Sequence, residues 1–388
     1  MALSPRPSSV PLLDVKRDNE PLREEFISAL TRVLDSGQFI GGPDCQLLEQ
    51  ELAGYCQTKF AIGCASGSDA LLLALMAIGL EAGDEVILPS FTFFATASAV
   101  ARLGAKPVFC DIERESFNLD PEKVEALVTP RTKAIIPVHL FGQCCEMGKL
   151  QEVAAKHRLQ IIEDCAQSIG ASYRGVACGG IGQVGCFSFY PTKNLGGFGD
   201  GGIMTTNDPE VADRLRLLAN HGMRPRYHHQ AIGLNSRLDS FQAALLAIKL
   251  RELPRWTKAR QENARRYQEL FAARGLGDLV AVPQITVDGE HVWNQFTVRI
   301  QGATRDTVRQ QMAERKVGTE VYYPIPLHQQ VCFAYLGYQT GSLPETERAC
   351  SEVLSLPIFP GLTAIEQEVV VDTLADIMQA ARPQRRAA

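Results

Sequence analysis

The amino-acid sequence predicts an α/β protein whose larger part is a mainly parallel sheet covered by helices, followed by a smaller α+β domain. Three observations support this fold class. The chain has 388 residues, which is too long for one small core. Short apolar, β-rich runs alternate with helical stretches from about residue 58 to 205, as in βαβ units. After residue 236 the alternation gives way to long helical stretches.

The alternating region predicts its elements in order. Helices are expected over 68–80, 92–103, 121–127 and 146–158, where apolar residues recur at helical spacing. The predicted strands are EVILP, KPVFCDI, AIIPVHL, QIIEDCA, GCFSFYP and GGIMTTN. Continuous apolar strands that alternate with helices are typical of a parallel sheet covered on both faces.

The region after residue 236 predicts the smaller domain. LDSFQAALLAIKLRELPRW is expected to be a helix that ends near Pro254, and ARQENARRYQELFAARG a second helix that stops at glycine. VWNQFTVRI and a helix over 304–315 add the α+β part. We place the boundary near residue 252, so that 1–252 form the large domain and 253–388 the small one. Packing of residues 1–35 on the small domain is the alternative for that segment.

Composition and charge argue against several classes of function. Hydrophobic residues make up 45% and charged residues 21%, with a net charge of -5, as in ordinary globular proteins. The C-terminal RPQRRAA is too short for a nucleic-acid track and is expected to be a solvated tail. The amino terminus lacks a signal-peptide core, and Ala70–Leu80 is too short to span a bilayer. We therefore expect a cytoplasmic protein without nucleic-acid or membrane partners.

The 11 cysteines are expected to be free thiols, because their number is odd and no CxxC pair occurs. The neighbours Cys144 and Cys145 cannot easily bridge each other. No spacing of cysteine and histidine matches a known ligand set, so no metal site is predicted.

The clearest chemical signal is Lys193, which follows a predicted strand and precedes a glycine-rich loop. Phe187, Phe189 and Tyr190 lie close to it in sequence, so we expect it in a partly apolar site. Desolvation lowers the pKa of a lysine and frees its amine as a nucleophile, which a Schiff-base lysine needs. Ser188 could bond a phosphate nearby. An ordinary surface lysine is the alternative.

Asp164 is predicted to lie at the carboxyl end of a strand, where open α/β sheets bind ligands. Gln167 could reach the same ligand if the chain turns helical after the strand. A structural or helix-capping carboxylate is the commoner alternative for such an aspartate.

A phosphate cup and an aromatic ring complete the candidate site. Gly67 and Ser68 precede an apolar helix, whose amino end offers free N–H groups to a phosphate. Helix capping by Ser66 or Ser68 is the alternative. Phe93, just past a strand end, could stack on a flat ring or lie in the core. Together with the lysine and the carboxylate, these residues form the set that a pyridoxal-phosphate site requires.

A nicotinamide enzyme is the first competing hypothesis, because GIGQVG (Gly180–Gly185) matches GxGxxG. However, this segment precedes a strand, whereas the dinucleotide motif must follow a strand and open a helix. The sequence therefore does not support dinucleotide binding there.

Several motifs resemble those of the DegT/DnrJ/EryC1/StrS family of pyridoxal-phosphate sugar aminotransferases, which have the aspartate-aminotransferase-like fold (fold type I). The resemblance extends from about Pro11 to Thr373. It rests on ASGSDAL, PSFTFFATASAV, GAKPVFCDI, KAIIPVHLFGQ, IIEDCAQSIGA, GCFSFYPTKNLGGFGDGG and GLNSRLDSFQAALL. It implies a seven-stranded, mainly parallel sheet and a homodimer with shared active sites.

The resemblance implies a role for each cofactor residue. Lys193 is expected to carry pyridoxal 5′-phosphate (PLP) as a Schiff base, and Asp164 to pair with the pyridine nitrogen. Gln167 is expected beside the 3-hydroxyl of the ring, and Phe93 against its face. The phosphate would be held by Gly67, Ser68 and Ser188, and by Asn235 of the neighbouring subunit.

Two further residues are candidates for binding the substrate. Arg237 is expected to meet a carboxylate or phosphate of the substrate. Many relatives carry a histidine at the position of Tyr322, in the segment that lines the sugar side of their site. Tyr322 therefore leaves the identity of the sugar open, whereas Lys193 argues against the dehydratase branch of the family, in which the lysine is replaced.

The implied function is transfer of an amino group to a nucleotide-linked keto-deoxysugar, with pyridoxamine phosphate as the intermediate form of the cofactor. L-Glutamate is the expected donor, C3 is favoured over C4, and Lys193 would act as the general acid/base. The alternatives are a PLP-binding regulatory or sensing protein without turnover, and a transaminase of a keto-cyclitol or an aminobenzoate precursor.

Overall fold

The computed structural model describes residues 7–301 and 303–381. The segment RPQRRAA, which we predicted to be a solvated tail, lies outside the described residues. Within these two stretches, none of the helices combines the length and the apolar character needed to cross a membrane.

The strands are β1 (Phe60–Cys64), β2 (Glu85–Pro89), β3 (Lys106–Cys110), β4 (Thr132–Ile135), β5 (Gln160–Asp164), β6 (Ser172–Tyr173), β7 (Val176–Ala177), β8 (Val184–Ser188), β9 (Gly202–Thr206), β10 (Val280–Ala281), β11 (Phe296–Ile300) and β12 (Val353–Leu356). The α-helices are α1 (Val15–Asn19), α2 (Arg23–Ser36), α3 (Pro43–Tyr55), α4 (Gly67–Ala77), α5 (Phe94–Arg102), α6 (Pro121–Val124), α7 (Met147–His157), α8 (Pro209–Ala219), α9 (Ser240–Ala273), α10 (Arg305–Glu314), α11 (Pro344–Glu352) and α12 (Ala364–Ala380).

Seven strands form one sheet in the order β1-β9-β8-β5-β4-β2-β3. β9 is antiparallel to β1 and to β8, and the other neighbours are parallel. The predicted mainly parallel sheet is thus confirmed, although the sequence reading did not identify β1. Because β1 and β8 both oppose β9, the carboxyl ends of β1, β2, β5 and β8 lie at the same edge of the sheet. Ligands bind at this edge in open α/β folds.

The central strands are buried along their length, as a sheet covered on both faces requires. Every residue of β2 is buried, and α4 is buried over most of its residues from Ala70 to Ala77. α4 packs against α5 and α8 on one face of the sheet. This packing fixes the amino end of α4 at the sheet edge where the carboxyl ends of β1, β2, β5 and β8 lie.

α9 is one continuous helix with Pro254 inside it, so the prediction of two helices separated near Pro254 is wrong. A proline within a helix costs about 3 kcal/mol. Here the buried residues Leu250, Leu253 and Trp256 lie on either side of it, and α9 packs on α2 and α3. Tertiary packing therefore outweighs the local signal. The proposed boundary at residue 252 falls inside this helix, and the division into two domains stays a prediction.

A second, antiparallel sheet has the order β10-β11-β12. Its core includes Tyr267 of α9, whose ring lies 4.9 Å from that of Phe296. The N-terminal segment contacts both parts of the chain. The Val10 N–H donates to the Lys316 carbonyl at 2.9 Å, whereas Phe26 of α2 belongs to a cluster with residues of α9.

The structure corrects the prediction that all cysteines are free. Cys144 and Cys178 are joined by a disulfide, with their Cα atoms 6.8 Å apart. The two residues are 34 positions apart in sequence, so only the fold brings them together. The other nine cysteines are free.

Candidate active site

A cavity of about 730 Å³ opens at the carboxyl edge of the seven-stranded sheet. Its walls contain eight of the predicted site residues, which come from five separate segments of the chain: Gly67, Ser68, Phe93, Asp164, Gln167, Ser188, Lys193 and Tyr322. Its volume lies in the range of ligand pockets. The fold therefore brings the predicted lysine, carboxylate and phosphate cup to one place.

The amino end of α4 forms one wall of the cavity. Ser66 caps this helix, because its hydroxyl accepts a hydrogen bond from the Asp69 N–H at 3.1 Å. A Cβ atom on Gly67 would lie 2.7 Å from Cβ of Ser188, so a side chain at position 67 would fill the gap. The helix end thus keeps its N–H groups open beside the Ser188 hydroxyl, an arrangement that suits a phosphate.

Asp164 ends β5 and is 5% exposed. Its Oδ2 accepts a hydrogen bond from the Thr96 hydroxyl at 2.8 Å, and its Oδ1 accepts one from the Ala166 N–H at 3.2 Å. Burial raises the pKa of Asp164, although these hydrogen bonds and the charge of Lys193 oppose that shift. No ion pair between described residues includes Asp164. A protonated ring nitrogen would supply the cationic partner that this carboxylate lacks.

Lys193 lies in the loop after β8 and is half-buried. Burial lowers its pKa from 10.5 to about 8, while the nearby Asp164 carboxylate acts in the opposite direction. An appreciable fraction of the amine is therefore neutral near physiological pH, and the neutral amine is the nucleophile. The backbone N–H of Lys193 donates to the Tyr190 carbonyl at 2.9 Å, which places the lysine in a tight turn.

Gln167 and Phe93 provide a polar group and an aromatic face. Oε1 of Gln167 accepts from the Phe141 N–H at 2.8 Å, and its Nε2 donates to the Tyr323 hydroxyl at 3.3 Å. The ring of Phe93 is 59% exposed, and it lines the cavity 6.3 Å from the ring of Tyr323. An exposed aromatic ring in a cavity can stack on a planar group.

The sequence reading missed Thr96 and Tyr323. Thr96 lies four residues after Thr92 in the predicted helix, and this spacing places both hydroxyls on one face. Tyr323 directly follows Tyr322, which was predicted to line the site. The two adjacent tyrosines in VYYP therefore could have indicated Tyr323 as a further site residue. Neither signal identifies the contact with Asp164 or Gln167, because those partners are distant in sequence.

Asn235 and Arg237 do not line the cavity of Lys193 in the same chain. Both are exposed, and the Arg237 guanidinium donates to Oδ1 of Asn235 at 2.6 Å and to Oδ1 of Asn220 at 3.1 Å. Arg237 lines a separate cavity of about 180 Å³. The role of Asn235 across a subunit interface and the role of Arg237 in binding the substrate therefore stay predictions.

Two buried groups around His139 bring together side chains that can bind metals: His139 with Cys144 and Cys178, and His139 with Glu163 and Cys165. The sequence predicted no metal site. Nδ1 of His139 accepts from the Cys145 N–H at 3.1 Å, so the proton is on Nε2, which lies 3.0 Å from Oε2 of Glu163. Both ring nitrogens are thus engaged, which leaves no lone pair for a cation.

The segment GIGQVG leads into β8 and opens no helix. Its Gly182 N–H donates to Oε1 of Glu163 at 2.6 Å. This segment therefore connects to β8 and bonds to Glu163 of β5, and it does not form a dinucleotide-binding turn.

A model of the DegT/DnrJ/EryC1/StrS aminotransferase family matches residues 20–375 of the chain. The chain belongs to this family. It is accordingly a PLP-dependent sugar aminotransferase, and the resemblance found in the sequence is confirmed.

Individual relatives of this DegT/DnrJ/EryC1/StrS aminotransferase cover nearly the whole chain. It is 48% identical over 369 residues to the pleiotropic regulatory protein of Geobacillus stearothermophilus, covering 95% of this chain and 98% of that one. It is 45% identical over 368 residues to the dTDP-3-amino-3,4,6-trideoxy-alpha-D-glucose transaminase of Streptomyces venezuelae, and the match covers 95% of this chain and 96% of that one. The crystal structure of S. venezuelae DesV in complex with ketimine intermediate matches with a TM-score of 0.92 and 44% identity. The match covers 97% of this chain and 99% of that one.

Proposed function

We propose that this aminotransferase transfers an amino group from L-glutamate to C3 of a nucleotide-linked keto-deoxysugar, with Lys193 as the residue that carries PLP. The observation that carries the proposal is that Lys193 and Asp164 face one cavity with a helix amino end and an exposed aromatic ring. The similarity to a transaminase named for a 3-amino sugar supports C3.

The residues present fit the cofactor. In this proposal the N–H groups of Gly67 and Ser68 and the Ser188 hydroxyl would hold the phosphate, where a Cβ on Gly67 would otherwise intrude. Phe93 would cover one face of the ring. Asp164 would pair with the ring nitrogen. When bound, the protonated pyridoxal ring supplies an electron sink for the charge that develops at the reacting carbon.

Gln167 is proposed to meet the ring hydroxyl through its amide nitrogen. The Gln167 carbonyl is already engaged by the Phe141 N–H, so the amide orientation is set by the protein. Its Nε2 faces the cavity beside the Tyr323 hydroxyl. This leaves a donor available at the edge of the ring.

Lys193 has a second proposed role, which begins once the amino donor has displaced it from PLP. Its free amine, with a pKa of about 8, can take a proton from the α-carbon of the donor and release it again. Asp164 must remain ionised throughout, and its hydrogen bonds from Thr96 and Ala166 favour that form. In the second half-reaction Lys193 would move the protons in the opposite direction, the amino group would pass to the keto carbon of the sugar, and the keto oxygen would leave as water.

Exposed apolar side chains support the proposed homodimer. Leu34, Phe39, Ile40 and Leu47 are each more than two-fifths exposed. Ile40 forms a β-bridge with Asp239, so one of these side chains adjoins the segment that carries Asn235. Exposed apolar surface is typical of protein interfaces where it is contiguous. An interface here would bring Asn235 of one chain to the phosphate cup of the other.

Mixed dimers test the shared site. Lys193→Ala and Asn235→Ala subunits are each expected to be inactive alone, and co-refolding them should restore activity at one site per mixed dimer. The control is co-refolding of Lys193→Ala with Asp164→Ala, because both residues line the cavity of the same chain and these two variants should not complement each other. Absence of complementation in dimers of proven mixed composition would place Asn235 in its own chain's site.

The visible absorption spectrum, recorded before and after L-glutamate is added, tests the function itself. A yellow band that bleaches with glutamate, followed by turnover with a keto-sugar nucleotide, is the expected result. Mass and NMR analysis of the product would distinguish C3 from C4. A bleaching protein that aminates only a keto-cyclitol or an aminobenzoate precursor would contradict the sugar substrate. A PLP-bound protein with no turnover on any acceptor would support a regulatory role.

A further inference from the structure

Lys249 is a buried lysine that the proposed reaction does not use. It lies on α9 and is 3% exposed. No ion pair in the described part of the chain includes it, although Asp18 and Arg260 line the same small cavity. Burying an ammonium group without a carboxylate in contact is costly. Such a group is retained where it makes a specific contact.

The contact is with the loop that carries Lys193. Nζ of Lys249 donates a hydrogen bond to the Gly196 carbonyl oxygen. The rings of Phe198 and Trp256 lie 5.7 Å and 5.8 Å from Nζ, within the range of cation–π attraction. Lys249 thus holds a backbone atom three residues beyond Lys193, and two aromatic rings hold Lys249.

The loop leaves this carbonyl little freedom. A Cβ on Gly196 would overlap the Pro191 carbonyl, so the chain folds back on itself around Lys193. The Gly197 N–H closes the turn with a 2.7 Å bond to the Phe189 carbonyl. The Gly196 carbonyl faces α9, and any shift of it must move the backbone that bears Lys193.

Two other side chains hold the same loop. Nδ2 of Asn194 donates to the Val292 carbonyl at 3.0 Å, and Oε1 of Gln242 accepts from the Phe198 N–H at 2.8 Å. Lys249 is the charged member of this set. It bonds the loop at Gly196, between the positions at which the other two bonds are made. The cavity between Lys249 and the loop is about 20 Å³, room for about one water molecule, so it is not a ligand site.

We propose that Lys249 is a positioning residue for Lys193: its ammonium group holds the Gly196 carbonyl and thereby fixes the turn that presents Lys193 to the cavity. This inference rests on the proposed role of Lys193 as the lysine that carries PLP. It assigns a function to a residue that does not line the proposed cofactor cavity.

The test compares Lys249→Met, which removes the donor, with Lys249→Arg, which keeps a cationic donor. Lys258→Met is the control, because Lys258 is exposed on the same helix. The first readout is the rate at which PLP becomes covalently attached to the apoprotein, with the modified lysine identified after borohydride reduction. The second is the single-turnover half-reaction with L-glutamate, analysed as maximal rate against apparent affinity. Circular dichroism and thermal unfolding report on folding.

We expect Lys249→Met to fold, to attach PLP about tenfold or more slowly, and to lose maximal rate rather than affinity for glutamate. Lys249→Arg should recover most of the rate, and Lys258→Met should match the wild type. If Lys249→Met does not fold, Lys249→Gln supplies the same comparison with Lys249→Arg. A folded Lys249→Met or Lys249→Gln protein with wild-type attachment and half-reaction rates would overturn the inference. Failure of the wild-type protein to attach PLP at Lys193 would instead overturn the proposed function.

Discussion

The hydroxyl of Thr96 lies 2.8 Å from Oδ2 of Asp164 and donates a hydrogen bond to it. Thr96 is fully buried, and its hydroxyl is also 3.2 Å from that of Thr92. Because Oδ1 of Asp164 accepts from the Ala166 N–H, the protein itself orients both carboxylate oxygens. Thr96 of helix α5 thus helps to orient the carboxylate group at the end of β5.

Thr96→Val should weaken this orientation while preserving the shape of the side chain. A hydrogen bond to a charged group contributes about 1.5–3 kcal/mol, so the half-reaction with glutamate should slow by about ten- to a hundredfold. The Asp164 carboxylate would also be stabilised less, which raises its pKa further. Single-turnover kinetics measure the effect, and Thr96→Ser, which retains the hydroxyl, is the control. Equal rates for the valine and serine variants would contradict the role of the bond.

The pH dependence of PLP attachment should reveal the lowered pKa of Lys193. The neutral amine attacks the aldehyde, and its fraction increases as the pH rises through the pKa of about 8. Attachment to the apoprotein, followed by absorbance, should therefore reach half of its maximal rate near pH 8. Asp164→Asn removes a charge that raises this pKa, so its midpoint should move to lower pH. A midpoint near the ordinary value of 10.5 would show that Lys193 is not desolvated.

Gly67→Ala should obstruct the phosphate cup. Its Cβ would lie 2.7 Å from Cβ of Ser188, and overpacking of this kind typically costs about 1–3 kcal/mol. We expect cofactor affinity to fall in an apoprotein titration. Gly54→Ala is the matched control, because its Cβ would have no neighbour within 4 Å. Unchanged affinity in Gly67→Ala would mean that the phosphate binds elsewhere.

Tyr322→His should change the sugar half-reaction and leave the glutamate half-reaction intact. Tyr322 is half-buried and lines the cavity, in the segment predicted to face the sugar. Changing one pocket contact typically alters discrimination by about tenfold or more, so the KM for the keto-sugar nucleotide should change on that scale. Steady-state kinetics with both substrates separate the two effects, with the exposed Tyr335→His as the control. An effect on glutamate alone would place Tyr322 on the donor side.

Much of the candidate site could be predicted because its residues mark strand ends. Asp164 and Ser188 each end a strand, and Lys193 follows in a glycine-rich loop, so local patterns reveal them. Their convergence follows from the parallel order of β5 and β8. The pairing of Thr96 with Asp164 could not be predicted, because 68 residues separate the two and side-chain packing decides the contact.

The sequence by itself determined the α/β class, six strands of the main sheet, and the lysine, carboxylate and glycine-serine segment of the site. These features depend on apolar periodicity and on residues that are near neighbours in the chain. Only the tertiary structure decided that α9 continues through Pro254, that Cys144 pairs with Cys178, and that Lys249 holds the Gly196 carbonyl. Each of these depends on packing between distant segments, whose free energy exceeds the local preferences that a sequence pattern reports.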